Sequence, residues 1–575
     1  MNESESDKPD IVLAYAVQCK IVGLIAGSIL LALATGCAGP GEPAGPAVDP
    51  DDQAALRDAR AAVAAGDYEH ALDTLVEVLD RTRDPGVVRQ AAQLALAVDD
   101  LDTAERAAGR WLELEPDSRS AVQVAVITAL RQERAGRAVE LLSKRIIEPD
   151  PDQGNAWTTA TGLLAAADSP EIARQALDRL IELHPAKPAD AGFAAWQRSR
   201  LAWQLGERER AFALAREAFA AQPGYGRAMW AARIAQSLSA PEDALQYFRA
   251  AREIRAGDRD AVIAEAEALR ELGRSDEALD VLALLPEEPE VLYMRSALQH
   301  DLGRDTAAAA TWRRLAALTP GTGQARHAWL TGLMAEVLGF DAEAIDWYAR
   351  VEGELAARAD LRRAVLMAGR GRLDAARQVL AGVRRGGDPE TIEQAWLLEG
   401  QLLIDNGRDQ ATMDLYSDAL VRVPGSTALL YARAMHAVNL DQLALAEQDL
   451  RAIIQREPEN AVALNALGYT LSDRTDRHRE ALRLIERALA LEPENPAILD
   501  SMGWVLYKIG RPAQGLPYIE QAVAADPHPE IVAHLIEMLW ALDRRGEARD
   551  WVKRTRAEYA GEAVYERTLE RIGLQ

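Results

Sequence analysis

A proline returns at an almost constant interval near the C-terminus of this chain, and few folds are compatible with such a period. Pro424, Pro458, Pro493 and Pro527 are separated by 34, 35 and 34 residues. Each follows a stretch in which apolar residues recur at helical spacing. Proline suits the break after a helix because it cannot continue that helix. The chain therefore repeats a helical unit of about 34 residues.

A second signal places a short turn inside each unit. Eight such turns consist of glycine followed by a polar residue: Gly66-Asp67, Gly136-Arg137, Gly206-Glu207, Gly273-Arg274, Gly303-Arg304, Gly371-Arg372, Gly407-Arg408 and Gly510-Arg511. Weaker turn signals fill the gaps near Asp100, Ser169, Ala240, Asp441 and Arg477. A helix–turn–helix unit of this period is typical of tetratricopeptide (TPR) repeats. We predict an all-α TPR superhelical solenoid of about 14 repeats.

The clearest repeats begin at Ala461 and Pro496. In the second of them, Gly503 and Ala522 are predicted to be small because the two helices of the repeat cross closely there. Gly515 stands where the TPR family prefers alanine, and we expect it to be tolerated at a cost of up to ~1 kcal/mol in helix stability. The array is placed at residues 54–556, with a capping helix at 557–575.

An export signal is predicted at the N-terminus. Lys20 is followed by an apolar run, residues 21–34, which is too short to cross a bilayer comfortably but suits a signal peptide. The run ends in Ala34-Thr35-Gly36-Cys37, which resembles the lipobox of bacterial lipoproteins. That resemblance implies removal of residues 1–36 and acylation of Cys37, which would anchor the protein in a membrane.

The residues on either side of this motif refine its interpretation. Ala38 follows the cysteine, and by resemblance to enterobacterial sorting rules this points to the outer membrane, with the body facing the periplasm. Residues 37–53 form a Pro/Gly-rich tether that would span roughly 40 Å if extended. Acidic residues precede Lys20, which is unusual for a signal peptide, and a short transmembrane anchor beginning near Ile11 is the alternative interpretation.

Composition and motifs argue against nucleic-acid binding and catalysis. The formal net charge is −25, which repels nucleic acid. The charge favours basic partners, and a well-solvated helical surface is the alternative interpretation. Both cysteines, Cys19 and Cys37, precede the repeats. Phosphate-binding loops, zinc-protease motifs and serine-hydrolase motifs are absent from the sequence. His528 and His534 are the closest histidine pair and have no third ligand nearby. We therefore predict a non-enzymatic protein without a metal or cofactor.

TPR arrays bind partners on a concave face lined by the first helix of each repeat. At the positions that face this groove in the TPR family, the C-terminal repeats carry Tyr431, Met435, Val462, Asn465, Tyr469, Ser472, Asp473, Ala497, Asp500, Trp504, Tyr507, Lys508, His534 and Met538. Aromatic, methionine and hydrogen-bonding side chains suit the capture of a peptide or helix. Ordinary packing between repeats is the alternative for Tyr469, Trp504 and Tyr507.

Three segments of the chain resemble one particular group of TPR proteins. They are residues 465–477 (NALGYTLSDRTDR), 496–507 (PAILDSMGWVLY) and 533–542 (AHLIEMLWAL). With the lipobox and the repeat array, they resemble the LbcA family of proteobacterial outer-membrane TPR lipoproteins. The resemblance implies an adaptor that binds a periplasmic carboxyl-terminal processing protease and its substrates. Those substrates are cell-wall (peptidoglycan) hydrolases, whose degradation the adaptor would promote.

Two other functions are weighed against this one. The first is an assembly scaffold, similar to a pilotin, for an outer-membrane channel or an export complex. The second is an enzyme, which would need an unrecognised active site within the groove. The repeats leave no room for a separate catalytic domain, so the sequence favours a protein that holds other proteins.

Overall fold

A computed structural model describes residues 50–150, 154–185, 190–319 and 323–574. The predicted signal peptide, Cys37 and the tether up to residue 49 lie outside the described residues. The chain divides into two compact units, Met1–Val291 and Leu292–Gln575. The described residues form helices and turns without β-strands. This confirms the predicted all-α fold class.

The described residues of the first unit form fourteen α-helices and the start of a fifteenth. They are α1 (Pro50–Ala64), α2 (Tyr68–Leu79), α3 (Pro85–Ala97), α4 (Leu101–Leu114), α5 (Arg119–Arg131), α6 (Ala135–Leu142), α7 (Gly154–Leu164), α8 (Pro170–Leu183), α9 (Phe193–Gln204), α10 (Arg208–Ala221), α11 (Tyr225–Ser237), α12 (Pro241–Ile254), α13 (Arg259–Glu271), α14 (Ser275–Leu282) and α15 (Pro289–Asp301). A π-helical turn, Ser143–Ile147, extends α6.

The second unit continues the same alternation of first and second helices. Its helices are α16 (Asp305–Ala317), α17 (Gln324–Val337), α18 (Asp341–Tyr348), α19 (Ala356–Gly369), α20 (Leu373–Gly386), α21 (Pro389–Asp405), α22 (Asp409–Arg422), α23 (Thr427–Asn439), α24 (Leu443–Arg456), α25 (Ala461–Arg474), α26 (His478–Leu491), α27 (Pro496–Lys508), α28 (Pro512–Ala525), α29 (Pro529–Ala541), α30 (Arg545–Thr555) and α31 (Ala563–Ile572). A short 3₁₀ turn, Gly353–Leu355, precedes α19.

The number of helices agrees with the predicted repeat array. In the described residues α1–α30 form fifteen consecutive pairs, against about 14 predicted repeats. The first described helix, α1, begins at Pro50. This position lies inside the predicted tether (37–53) and before the predicted start of the array at residue 54. The last helix, α31, lies within the predicted capping segment (557–575) and packs against α29.

The turns inside the repeats follow the predicted glycines with one correction. Seven of the eight predicted glycines have positive φ angles, between 64° and 80°, a conformation that glycine adopts without a steric penalty. The prediction at Gly136 was wrong, because that residue lies in the first turn of α6. The turn occurs earlier, at Glu133, whose φ is 59°. A non-glycine residue in the left-handed region leaves no glycine for the pattern to detect.

The two helices of a repeat cross at a small residue. The fourth residue of every second helix is buried, and at thirteen of fifteen positions it is alanine: Ala71, Ala104, Ala138, Ala173, Ala211, Ala244, Ala278, Ala308, Ala344, Ala376, Ala446, Ala481 and Ala548. Thr412 and Gly515 occupy the other two positions. In two repeats a serine of the first helix donates a hydrogen bond to the carbonyl of this alanine, from Ser199 to Ala211 at 2.7 Å and from Ser296 to Ala308 at 2.8 Å.

The predicted close crossing in the Pro496 repeat is confirmed, and the interpretation of Gly515 is corrected. A Cβ added to Gly503 would collide with the Ile519 side chain. A Cβ added to Gly515 would lie 2.6 Å from the Gly503 carbonyl oxygen and 3.2 Å from Leu506 Cβ. Gly515 is therefore required by the helix contact. It is not merely tolerated in place of alanine.

Replacement of Gly515 by alanine is expected to destabilise the Pro496 repeat by about 1–3 kcal/mol, because the added methyl group overpacks the crossing. A glycine-to-alanine change inside a helix normally has the opposite sign, since it gains up to ~1 kcal/mol of helix propensity. Gly109, in the middle of α4, is the matched control because nothing lies within 4 Å of its added Cβ. Thermal unfolding of both variants measures the difference, and a stabilised Gly515→Ala variant would contradict the prediction.

Candidate protein-binding groove

A groove lies on the first helices of the last repeats of the second unit, with about 1010 Å³ of empty volume that is partly open to solvent. We call it the C-terminal groove. It is lined by Tyr431, Met435, Val462, Asn465, Ala466, Tyr469, Asn495, Ala497, Ile498, Asp500, Ser501, Asp526, His528, Glu530 and Ile531. These residues come from α23, α25, α27, α29 and the segments before α27 and α29. Side chains separated by a full repeat therefore share one surface.

The structure places about half of the sequence-predicted groove residues on this surface. Those that line it are Tyr431, Met435, Val462, Asn465, Tyr469, Ala497 and Asp500. Sequence reasoning missed the residues that come just before or at the start of α27 and α29, notably Asn495, Asp526, His528 and Glu530. Their signal was weak because helix caps and turns are not periodic positions of the TPR pattern.

The wall of the groove combines apolar and carboxylate side chains. Val462 is 50% exposed. Met435 and Tyr431 are half-buried beside it. Asp526 is exposed, and Glu530 is half-buried. Among the described residues that line the groove there is no lysine or arginine, so the surface offers carboxylates without a matching cation.

Tyr469 connects two repeats across the groove. Its hydroxyl donates a hydrogen bond of 2.6 Å to Oε1 of Glu530, which is 61 positions further along the chain. Burial and the Glu530 carboxylate raise the pKa of Tyr469 far above its usual value of 10. The phenol therefore stays protonated and keeps donating. This contact holds α25 and α29 together and fixes the Glu530 carboxylate in the wall.

Trp504 lies behind the groove and does not line it. Its side chain is 3% exposed. The indole stacks on the His534 ring at a centroid distance of 3.9 Å and on the Tyr507 ring at 5.1 Å. Its Nε1 donates to Oδ1 of Asp473 at 3.2 Å, and the Lys508 ammonium lies 4.8 Å from the ring centroid. Trp504 therefore packs between repeats.

His534 and Asp500 form a buried pair next to Trp504. The His534 Nδ1 is 3.0 Å from each carboxylate oxygen of Asp500, and both residues are about 5% exposed. Burial alone would lower the pKa of His534. The carboxylates of Asp500, Glu530 and Glu537 outweigh this effect, so the pKa is raised above 6.5. The Asp500 carboxylate is therefore hydrogen-bonded within the repeats.

Tyr507 connects the repeats to the capping helix. Its hydroxyl donates to Oε1 of Glu537 at 3.2 Å, and the Glu537 carboxylate also pairs with Arg571 of α31. Burial, followed by the Glu537 charge, raises the pKa of Tyr507. Two further predicted residues are buried: Ser472 is 1% exposed and Met538 is not exposed at all. Four of the predicted residues therefore stabilise the repeats around the groove and do not line it: Ser472, Trp504, Tyr507 and Met538.

One polar cluster in the first unit resembles part of a hydrolase site and was not anticipated from the sequence. Ser143 Oγ, in the π-helical turn, is 2.7 Å from His184 Nε2 and 3.0 Å from Glu148 Oε1. In a catalytic triad the carboxylate orients the histidine, whereas here both groups contact the serine. The Ser143 residue is also only 7% exposed. The cluster satisfies buried polar groups around the turn.

Across residues 50–574, where they are described, the helices lack the length and apolar character needed to span a bilayer. The same residues contain no group of three or more histidine, cysteine, aspartate or glutamate side chains placed to hold a metal ion.

Comparison with known families agrees with the repeat architecture. Residues 501–563, from α27 to the start of α31, match the tetratricopeptide repeat family. This segment of the chain carries tetratricopeptide repeats. TPR proteins generally act as scaffolds for protein interactions, and their repeats build extended binding surfaces.

The chain is also similar to a curated bacterial relative. It is 42% identical over 207 residues to the TPR repeat-containing protein PA4667 of Pseudomonas aeruginosa. The matched segment is 36% of this chain and 35% of that relative, so the similarity spans about a third of each protein.

The chain is similar to several solved structures at low sequence identity. The match to the structure of the APC/C hetero-tetramer Cut9–Hcn1 has 14% identity and a TM-score of 0.30. It covers 90% of this chain and 98% of the matched chain. The match to a tetratricopeptide repeat protein of Parabacteroides merdae has 14% identity and a TM-score of 0.36. It covers 43% of this chain and 98% of the matched chain.

Proposed function

We propose that this TPR protein is an outer-membrane, periplasm-facing adaptor. Anchored through acyl groups on Cys37, it would hold a periplasmic carboxyl-terminal processing protease and its peptidoglycan-hydrolase substrates together. One observation carries the proposal. The three segments that resemble the LbcA family, residues 465–477, 496–507 and 533–542, are α25, α27 and α29, and these helices build and support the C-terminal groove.

The physical basis of such an adaptor is effective concentration. When one scaffold holds the protease and its substrate, their encounter becomes intramolecular, which raises the rate of cleavage without any chemistry by the scaffold. Immobilisation on a membrane adds to this effect, because it confines the complex to the compartment where cell-wall hydrolases act. The scaffold itself then needs binding surfaces and an anchor, which agrees with the predicted absence of catalytic motifs.

Deletion of the protein is expected to raise the steady-state levels of particular cell-wall hydrolases, because their degradation slows. Quantitative proteomics of envelope fractions from deletion and complemented strains measures this. A Cys37→Ala variant serves as the matched control, since it should bind the same partners in detergent extracts yet fail to restore normal hydrolase levels. Unchanged hydrolase levels in the deletion strain would contradict the proposal.

Affinity capture of the tagged, lipidated protein tests the partners directly. The proposal expects recovery of a carboxyl-terminal processing protease together with peptidoglycan hydrolases. Recovery of an outer-membrane channel or secretion component without any protease would instead support an assembly scaffold and overturn the adaptor.

A further inference from the structure

The walls of the C-terminal groove suggest the chemistry of what it binds. Its lining is mostly apolar and open to solvent, with Val462 half-exposed and Met435 and Ile531 on the same surface. An exposed aliphatic side chain in a groove is stabilised when a partner covers it. This part of the surface favours apolar side chains of a ligand.

The described lining contains carboxylates but no lysine or arginine. Asp526 and Glu530 contribute carboxylates to the wall, and Asp500 contributes a third that His534 already pairs with. The Asp526 carboxylate is exposed and has no ion-pair partner among the described residues. With no lysine or arginine in the described lining, the groove accepts hydrogen bonds and positive charge. A free C-terminal carboxylate or an acidic peptide would be repelled there.

We propose that the C-terminal groove binds an extended protein segment that carries lysine or arginine between aliphatic side chains. Aliphatic groups would cover Val462 and Met435, and the cation would pair with Asp526 and Glu530. This inference rests on the proposed scaffold function and specifies the partner segment that the same site selects.

The chain's own tether does not fit this description. Residues 38–53 contain four prolines and no lysine or arginine, and they carry only acidic charges. Like charges opposite the groove carboxylates disfavour such an occupant. The tether is therefore excluded as the segment that binds.

The test uses the full chain and two short labelled peptides, one built from Leu, Ala and Lys and the other with Glu in place of each Lys. The Lys peptide is expected to bind, and the Glu peptide is not. Asp526→Lys should weaken binding of the Lys peptide about tenfold or more, because it reverses a charge in the wall. Val462→Ser should weaken it by a smaller factor, because it removes apolar contact.

Controls separate this groove from the general acidity of the protein. Asp73 is exposed on α2 and is not among the residues that line the groove, so Asp73→Lys makes the same charge change without altering the lining. Binding of the Lys peptide should be unchanged in this variant, and thermal unfolding should show that all variants are folded. Equal weakening by Asp73→Lys and Asp526→Lys would overturn the proposal, as would binding of the Glu peptide or of neither peptide.

The adaptor and the groove chemistry can fail separately. If capture recovers the protease but the peptides bind without regard to charge, the groove proposal is wrong and the adaptor stands. If the Lys peptide binds through Asp526 but no protease is recovered, the groove selects basic segments of some other partner.

Discussion

Replacement of Glu399 by alanine is expected to lower the stability of the repeats around it by about 3–5 kcal/mol, because it breaks a buried ion pair from one side. The Glu399 side chain, on α21, is 2% exposed. It accepts a hydrogen bond of 2.8 Å from Arg377 and also pairs with Arg384, both on α20. The Arg384 side chain is itself only 14% exposed and would be left without its counter-charge.

Hydrogen–deuterium exchange of α20 and α21 in the full chain measures this effect, since an array of repeats does not unfold as one two-state unit. Both helices should exchange faster in the Glu399→Ala variant. The control is Glu140→Ala, which removes an exposed carboxylate that pairs with Arg137 and Lys144 on the surface of the first unit. Exposed pairs contribute little, so exchange should barely change there. Unaltered protection of α20 and α21 would show that the pair is dispensable.

The same construction occurs in the first unit. Glu265 on α13 is fully buried and pairs with Arg249 at 3.3 Å and Arg252 at 2.5 Å, both on α12. In both cases a carboxylate on the first helix of a repeat meets two arginines on the second helix of the preceding repeat. These ion pairs connect successive repeats. The small residues at the helix crossings, in contrast, let the two helices of one repeat pack closely.

Replacement of Trp504 by alanine is expected to destabilise the C-terminal repeats by about 3–5 kcal/mol, as for other large buried aromatic residues. The change removes the stack with His534 and Tyr507 and leaves Asp473 without the indole donor. Trp504→Phe should be less destabilising, because it retains an aromatic ring for stacking and loses only the N–H group.

Thermal unfolding combined with peptide binding distinguishes a packing residue from a binding anchor. A packing role predicts a lower melting temperature for Trp504→Ala, with exchange increased in α25, α27 and α29. If Trp504→Ala instead melts at the same temperature and binding alone is lost, the residue contacts the partner. The packing interpretation would then be wrong.

Much of the fold was predictable because its rules are local. A glycine between two amphipathic helices marks a turn wherever it occurs, and seven of the eight predicted turns have the expected left-handed glycine. The exception at Gly136 arose because Glu133 adopts that conformation instead. A buried alanine at the fourth position of thirteen of the fifteen described second helices is a further local signal that the sequence contains.

The groove was predictable only in part. Tyr431, Asn465 and Tyr469 line it as expected from their positions in the repeat. Trp504 occupies the position of Tyr469 one repeat later but lies behind the surface. The same repeat position therefore faces solvent in one repeat and the interior in the next, which periodicity alone does not distinguish.

The repeating helix pairs, their small crossing residues and their turns follow from the sequence, because each depends on residues within about 34 positions of one another. The accessible groove depends on contacts between different repeats. Tyr469 meets Glu530 over 61 positions, and His534 meets Asp500 over 34. Such contacts depend on how each repeat is rotated against the next, and that rotation is set by the combined packing of many side chains. The structure was therefore needed to separate the residues that can touch a partner from those that hold the repeats in place.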